Sequence, residues 1–185
     1  MGIANFCFVT LRIWKYKMLS DCNKVIGKPL LFHPTLLKGK GKITFGKNVQ
    51  IGVIASPNYY SHYSYLEARN SDSVISIGDN VAINNAFSAV AFQNITIQDN
   101  VLIGVNCAII DNDGHELAID ERHSAEPKSA AVTIEKNVFI GDNVTILKGV
   151  TIGENSVIGF GSIVTNDIPK NVIAAGNPAK VIRNL

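Results

Sequence analysis

One stretch concentrates ionisable side chains: IIDNDGHELAIDERH, residues 109–123. His115 follows Asp111 and Asp113 and precedes Glu116. An imidazole titrates near neutrality, with a reference pKa of about 6.5. One ring nitrogen can accept a proton while a carboxylate or carbonyl fixes the other, which suits deprotonation of a hydroxyl. Asp111 or Asp113 would do the fixing, and the spacing does not choose between them. The competing reading is a solvated loop whose acids cap turns. His33 and His123 have no comparable company.

What must position His115 is a six-residue rhythm that this stretch interrupts. Residues 132–167 read VTIEKN, VFIGDN, VTILKG, VTIGEN, SVIGFG, SIVTND. Their third places are Ile134, Ile140, Ile146, Ile152, Ile158 and Val164, and their first places are Val or Ser. Residues 75–92, 95–112 and 43–54 obey the same rule. Apolar residues at the first and third places make a short strand with one buried face. Gly, Asn and Asp in the last three places suit bends, because Gly and Asn accept positive φ. Three strands and three bends close a triangular coil, and coils stack as parallel strands about 4.8 Å apart. The periodicity predicts an all-β fold, a parallel β-helix of hexapeptide repeats. A helix fails, since residues three and four apart do not stay apolar and Gly or Asn every sixth residue would weaken it.

Coils at 75–92, 95–112, 132–149 and 150–167 put the breaks at Gln93–Asn94 and at 113–131 on one corner of the prism. If 35–54 is an earlier coil, the segment 55–74 leaves from that corner too. Asp142 and Phe160 fall on a different corner, about 15–20 Å away across a face five or six residues wide. The organisation expected is an N-terminal cap over 1–34, a β-helix over 35–167 with loops 55–74 and 113–131, and a C-terminal cap and tail over 168–185. Cys107 is expected at a surface step.

Composition narrows the partners. The chain has 185 residues, 46% hydrophobic and 17% charged, with net charge +2, which fits one globular domain and no nucleic-acid partner. Cys7, Cys22 and Cys107 form no CxxC pair and read as reduced thiols of a cytoplasmic protein. The apolar N-terminus is shorter than the about 20 residues of a spanning helix, and its charges follow the apolar run rather than precede it. Weak membrane-surface contact through Trp14, Arg12, Lys15 and Lys17 is the most it supports. The histidines lack the converging places that a three-histidine zinc site needs, so no metal and no carbonic-anhydrase chemistry is expected. No regular Thr ladder marks an ice-binding face.

IIDNDGHEL, followed by VTIEKNVFIGDNVTILKGVTIGENSVIGFGSIVTNDIPKNVIAAGNPAKVIR, resembles the hexapeptide O-acetyltransferases, which include maltose, galactoside and nodulation-factor enzymes. The Asp-x-Asp-x-His loop and YLEARNSDSVISIGDNVAINN are similar to acetyltransferases of capsular polysaccharide and lipopolysaccharide. The resemblance implies a left-handed helix, acetyl-CoA as donor and a cytoplasmic homotrimer with active sites between subunits. It implies transfer to a sugar hydroxyl of a cell-surface polysaccharide or its precursor, with His115 as general base and Asp113 or Asp111 orienting it. N-acetylation of an amino sugar or sugar nucleotide is the alternative. The implied cofactor residues are Gly141, Asp142, Gly159, Phe160, Thr165, Asn177, Pro178, Lys180 and Arg183. VTNDIP departs from the family's VTKDIP by placing Asn166 where a cation is usual, and Lys148 could substitute. An oxyanion donor is sought near Asp142. For the saccharide acceptor, the leads are Asn84, Asn85 and the tyrosine-rich SPNYYSHYSYLEARN, with Tyr63 and Arg69.

Overall fold

The computed structural model describes residues 2–123 and 126–185. Met1, from the cap, and Ser124 and Ala125, from the 113–131 excursion, lie outside the described residues. The chain winds into a three-faced prism of parallel strands. The first face stacks Lys24–Ile26, Lys42–Phe45, Val74–Ile77, Asn94–Ile97, Val132–Ile134 and Thr151–Ile152. The second stacks Leu30–Leu31, Gln50–Ile51, Ala82–Ile83, Leu102–Ile103, Phe139–Ile140 and Val157–Ile158. The third stacks Thr35–Lys38, Ser64–Ala68, Ser88–Ala91, Ala108–Ile110, Thr145–Ile146 and Ile163–Val164. The first corner joins faces one and two, the second joins two and three, and the third returns from three to one.

The third-place residues point inward as their pattern requires. Ile51, Ile83, Ile103, Ile140 and Ile158 form one buried column down the second face. Each buried Ile contributes about 1.5–3 kcal/mol. First-place residues also face inward: Val132, Val138, Val144 and Val150 are buried. In the last coil this place holds Ser156 and Ser162, which are buried but satisfied. Their hydroxyls donate to the carbonyls of Pro169 and Gly159, each at 2.6 Å. They also accept from the N–H groups of Val172 at 3.2 Å and Gly176 at 3.1 Å. The hydroxyls thus tie the last coil to the closing hairpin Val172–Gly176 and Ala179–Asn184, whose turn carries the cis Asn177–Pro178 peptide. Cys107 obeys the same rule and corrects the expectation of a surface step. It is buried, donates to the Gly141 carbonyl at 3.0 Å, and burial pushes its thiol up to about 11.

The corners repeat as chemistry, too. Asn48, Asn80, Asn100, Asn137, Asn155 and Asn171 all adopt φ between 56° and 64°, the left-handed region that Asn tolerates best among side-chain-bearing residues. Their amides stack into ladders: Asn48 to Asn80 at 3.0 Å, Asn137 to Asn155 at 2.9 Å, and Asn155 to Asn171 at 2.8 Å.

The start of the prism differs from the sequence reading. Lys24–Ile26 and Leu30–Leu31 already belong to the first coil, so the strands begin inside the stretch expected as a cap. The six beginning at Thr35 is therefore the third of its coil, not the first. This one-step difference in phase moves the tyrosine-rich insertion. Ser64–Ala68 is a strand with Ser64, Leu66 and Ala68 inward, and the irregular part is 52–63. That segment leaves from the second corner, not from the corner of the 113–131 excursion. The outward Tyr65 and Glu67 of the strand Ser64–Ala68 masked the alternation in the sequence.

Segment 52–63 docks the N-terminal helical turns Ile3–Asn5, Phe6–Thr10 and Leu11–Leu19. Tyr59 donates to Asn5 at 2.8 Å, Tyr63 stacks on Tyr16 with centroids 4.6 Å apart, and Arg12 donates to the carbonyls of Tyr60 and His62. No described helix is long and apolar enough to cross a membrane. Beneath this cap His33 is 0% exposed, and neither ring nitrogen has a hydrogen-bond partner. Burial, with Arg12 and His62 nearby, lowers its pKa to about 4. The folded value lies below the unfolded one, so the unfolded chain binds a proton that the folded chain refuses. This stability is full above pH 6.5 and drains as pH falls towards 4. Between pH 7.5 and 4.5 the loss should be about 2–3 kcal/mol. Denaturant melts of the wild type and His33→Leu across that range check it, and the variant should lack this part of the acid loss.

Candidate active site

The third corner carries the His115 excursion, leaving after Ala108–Ile110 and returning at Val132. His115 is exposed, and its ring makes no hydrogen bond among the described residues. The neighbouring acids are committed elsewhere. Asp111 is 0% exposed, and its two carboxylate oxygens accept the N–H groups of Phe92 and Gln93, each at 2.7 Å. It bridges the excursion to the preceding coil, so the reading of Asp111 as an orienting acid is corrected. Asp113 accepts Lys148 Nζ at 2.5 Å, and among the described residues it makes no hydrogen bond or ion pair with His115. Glu116 caps the N–H groups of Leu117 at 2.8 Å and Ala118 at 3.4 Å, and these bonds hold its carboxyl below the usual range. Asp113, Lys148, Gly114 and Thr165 line a cavity of about 430 Å³ beside the excursion. Lys148, suggested as a stand-in for the missing cation, is thus the counter-ion of Asp113.

Asp142 and Phe160 lie on the second corner, across the third face from His115. Asp142 Oδ1 accepts the Val105 N–H at 2.8 Å, which staples two coils. The N–H groups of Gly141 and Asn143 bond to the carbonyls of Ile158 and Val105, so these two flanking amides are already spent. Phe160 is 68% exposed, and Gly159 precedes it in the same bend. Asn177 and Pro178 turn the closing hairpin, on which Lys180 and Arg183 are exposed. Of the expected cofactor residues, Thr165 alone sits on the His115 corner.

A family model described as bacterial transferase hexapeptide (six repeats) matches residues 131–166. Galactoside O-acetyltransferase of Escherichia coli strain K12 is 37% identical over 194 residues, covering 96% of this chain and 89% of that one. The chain belongs to the hexapeptide-repeat acetyltransferases. A solved galactoside acetyltransferase in complex with coenzyme A matches with TM-score 0.62 and 41% identity, over 76% of this chain and 64% of that one. A hexapeptide-repeat acetyltransferase of Vibrio cholerae, complexed with acetyl coenzyme A, matches with TM-score 0.56 and 27% identity, over 85% and 70%. The prism is therefore the left-handed parallel β-helix.

In this acetyltransferase the acceptor leads divide. Asn85 is fully buried and clamps segment 52–63, donating to the carbonyls of Val53 at 3.1 Å and Pro57 at 2.9 Å and accepting the Val53 N–H at 3.1 Å. Its amide nitrogen is fully engaged and its side chain is closed off from solvent, so a sugar does not reach it. Asn84 accepts the Asn85 N–H at 2.8 Å and lines a cavity of about 320 Å³ with Asp142 on the second corner. Tyr63 is engaged with Tyr16. Arg69 forks onto Glu67 through Nε and Nη2, both at 2.9 Å, and lies over the Phe92 ring at 4.8 Å. Tyr59 and Tyr63 thus serve the cap, Tyr65 donates to Glu67 at 2.8 Å, and Arg69 serves the corner. No described group of His, Cys, Asp and Glu could hold a metal ion.

Proposed function

We propose that this acetyltransferase moves acetyl from acetyl-CoA to a sugar hydroxyl, with His115 as general base. The observation that carries the reading is an exposed imidazole on an excursion of the prism, in a chain 37% identical to a galactoside O-acetyltransferase. His115 takes the hydroxyl proton, and the oxygen attacks the thioester carbonyl directly. The tetrahedral oxyanion collapses, the C–S bond breaks, and the imidazolium returns its proton to the departing thiolate. No acyl-enzyme forms. General-base help of this kind is worth about 10²–10⁴ in rate.

The donor lies along the second corner and the closing hairpin, with its phosphates near Lys180 and Arg183. These cations, the exposed ring of Phe160 and the open second-corner cavity suit a long ligand with an anionic end. One chain holds imidazole and donor on different corners, about 15–20 Å apart. A homotrimer, in which one subunit's third corner meets the next subunit's second, brings them together and closes a ring. Isotope-labelled acetyl-CoA incubated with a panel of cell-surface saccharides and read by mass tests the reaction; label on no saccharide overturns it. Lys180→Ala with Arg183→Ala should raise the KM for acetyl-CoA about tenfold, since each removes a charge-assisted contact. The KM for the acceptor should change less, and the reverse pattern would misassign the phosphate end.

A further inference from the structure

Two to three coil steps before the His115 excursion, about 10–14 Å along the same corner, the surface opens into a cavity of about 870 Å³. Residues of the turns near 38–40 and 69–71 line it, together with Asp21, Asn23 and Lys24. Its wall carries four cations, Lys24, Lys38, Lys40 and Arg69, against two carboxylates, Asp21 and Glu67. The carboxylates are already neutralised: Lys38 pairs with Asp21, and Arg69 forks onto Glu67. Lys24 and Lys40 are left over. Both are exposed, and neither meets a carboxylate among the described residues. Lys24 Nζ lies 3.4 Å from the Ser71 carbonyl oxygen, which leaves its charge uncompensated.

A chain of contacts runs from the cavity wall to the His115 excursion. Arg69 lies over Phe92, and Asp111 holds the Phe92 N–H and begins the excursion that carries His115. One corner therefore offers an open cationic cavity at one end and an exposed imidazole at the other.

The geometry points to an acceptor that is an extended, negatively charged saccharide chain. One residue of the chain presents its hydroxyl to His115, and a carboxylate or phosphodiester further along is bound by Lys24 and Lys40. This rests on the sugar-acceptor reading above and adds the acceptor's charge and length. A neutral monosaccharide would leave the cavity and both lysines unused.

Calorimetry on the wild-type protein without donor tests it, with three probes of equal length: a hexuronate oligosaccharide, a glycerol-phosphate oligosaccharide and a neutral gluco-oligosaccharide. At least one anionic probe should bind about tenfold more tightly than the neutral one, as two charge contacts at an exposed site allow. The preference should shrink as salt is raised. Which anionic probe wins identifies the anion. Lys24→Gln with Lys40→Gln should abolish the preference, with circular dichroism verifying the fold. Equal binding of all three probes, or a preference that survives the double substitution, overturns the inference. Acetylation of neutral sugars without anionic preference removes the subsite and leaves the catalytic reading standing. Anion-selective binding without acetylation of any saccharide does the opposite.

Discussion

Ile140→Asp should yield no folded protein. Ile140 is 0% exposed, and its backbone pairs with Ile103 in the coil before and Ile158 in the coil after. The carboxylate would face apolar side chains on every side, with no donor to receive it. An unpaired buried charge costs many kcal/mol, or forces the group to take up a proton and still lose its hydrogen bonds. A domain has only about 5–15 kcal/mol of stability to lose. In a stack, the damage also spreads, because each coil supplies the backbone partners of the next. Ile140→Val keeps the inward shape and should cost only about 0.5–1.5 kcal/mol. Circular dichroism and size exclusion of the two variants decide it. A soluble, native-like Ile140→Asp protein would contradict the inward assignment of the third place.

The same inward rule marks where the sequence was readable. In 132–167 six consecutive repeats share one phase, so the faces, the core column and the bends follow from residue type and position. Near Lys24–Ala68 the repeats are broken by an insertion, and phase cannot be counted across a gap of unknown path. Ser64 and Ala68 look like loop residues until Leu66 is known to share their face. Acids and amides were legible as to type but not as to partner. Asp111 fits an imidazole or two backbone N–H groups equally well in one dimension, and the fold gives it Phe92 and Gln93. Asn85 fits a sugar or a loop, and the fold gives it Val53 and Pro57. The pairing of Lys24 with Lys40 is not legible in one dimension because they stand at opposite ends of the first coil, which only its winding brings together.

His115→Ala should lower kcat by at least about 100-fold, the loss expected when a general base is removed. The excursion lies outside the prism core, and the ring makes no hydrogen bond among the described residues, so melting temperature and assembly should stay as in the wild type. The KM for acetyl-CoA should also hold, because the donor residues lie on another corner. Retained turnover would remove His115 as the base. The decisive form of the experiment mixes subunits. His115→Ala chains keep the donor edge, and Lys180→Ala, Arg183→Ala chains keep the imidazole. At a donor concentration far below KM, His115→Ala alone should be nearly silent, and the Lys180→Ala, Arg183→Ala protein should keep about a tenth of wild-type turnover, as a tenfold higher KM dictates. In a randomly mixed ring, a working site arises wherever an intact imidazole edge meets an intact donor edge. An equal mixture should therefore recover about a quarter of wild-type turnover, if heterologous contacts close a trimer. An active site built within one chain would gain nothing on mixing and leave only about a twentieth of wild-type turnover, from the diluted Lys180→Ala, Arg183→Ala chains, since no chain in the mixture carries both intact parts.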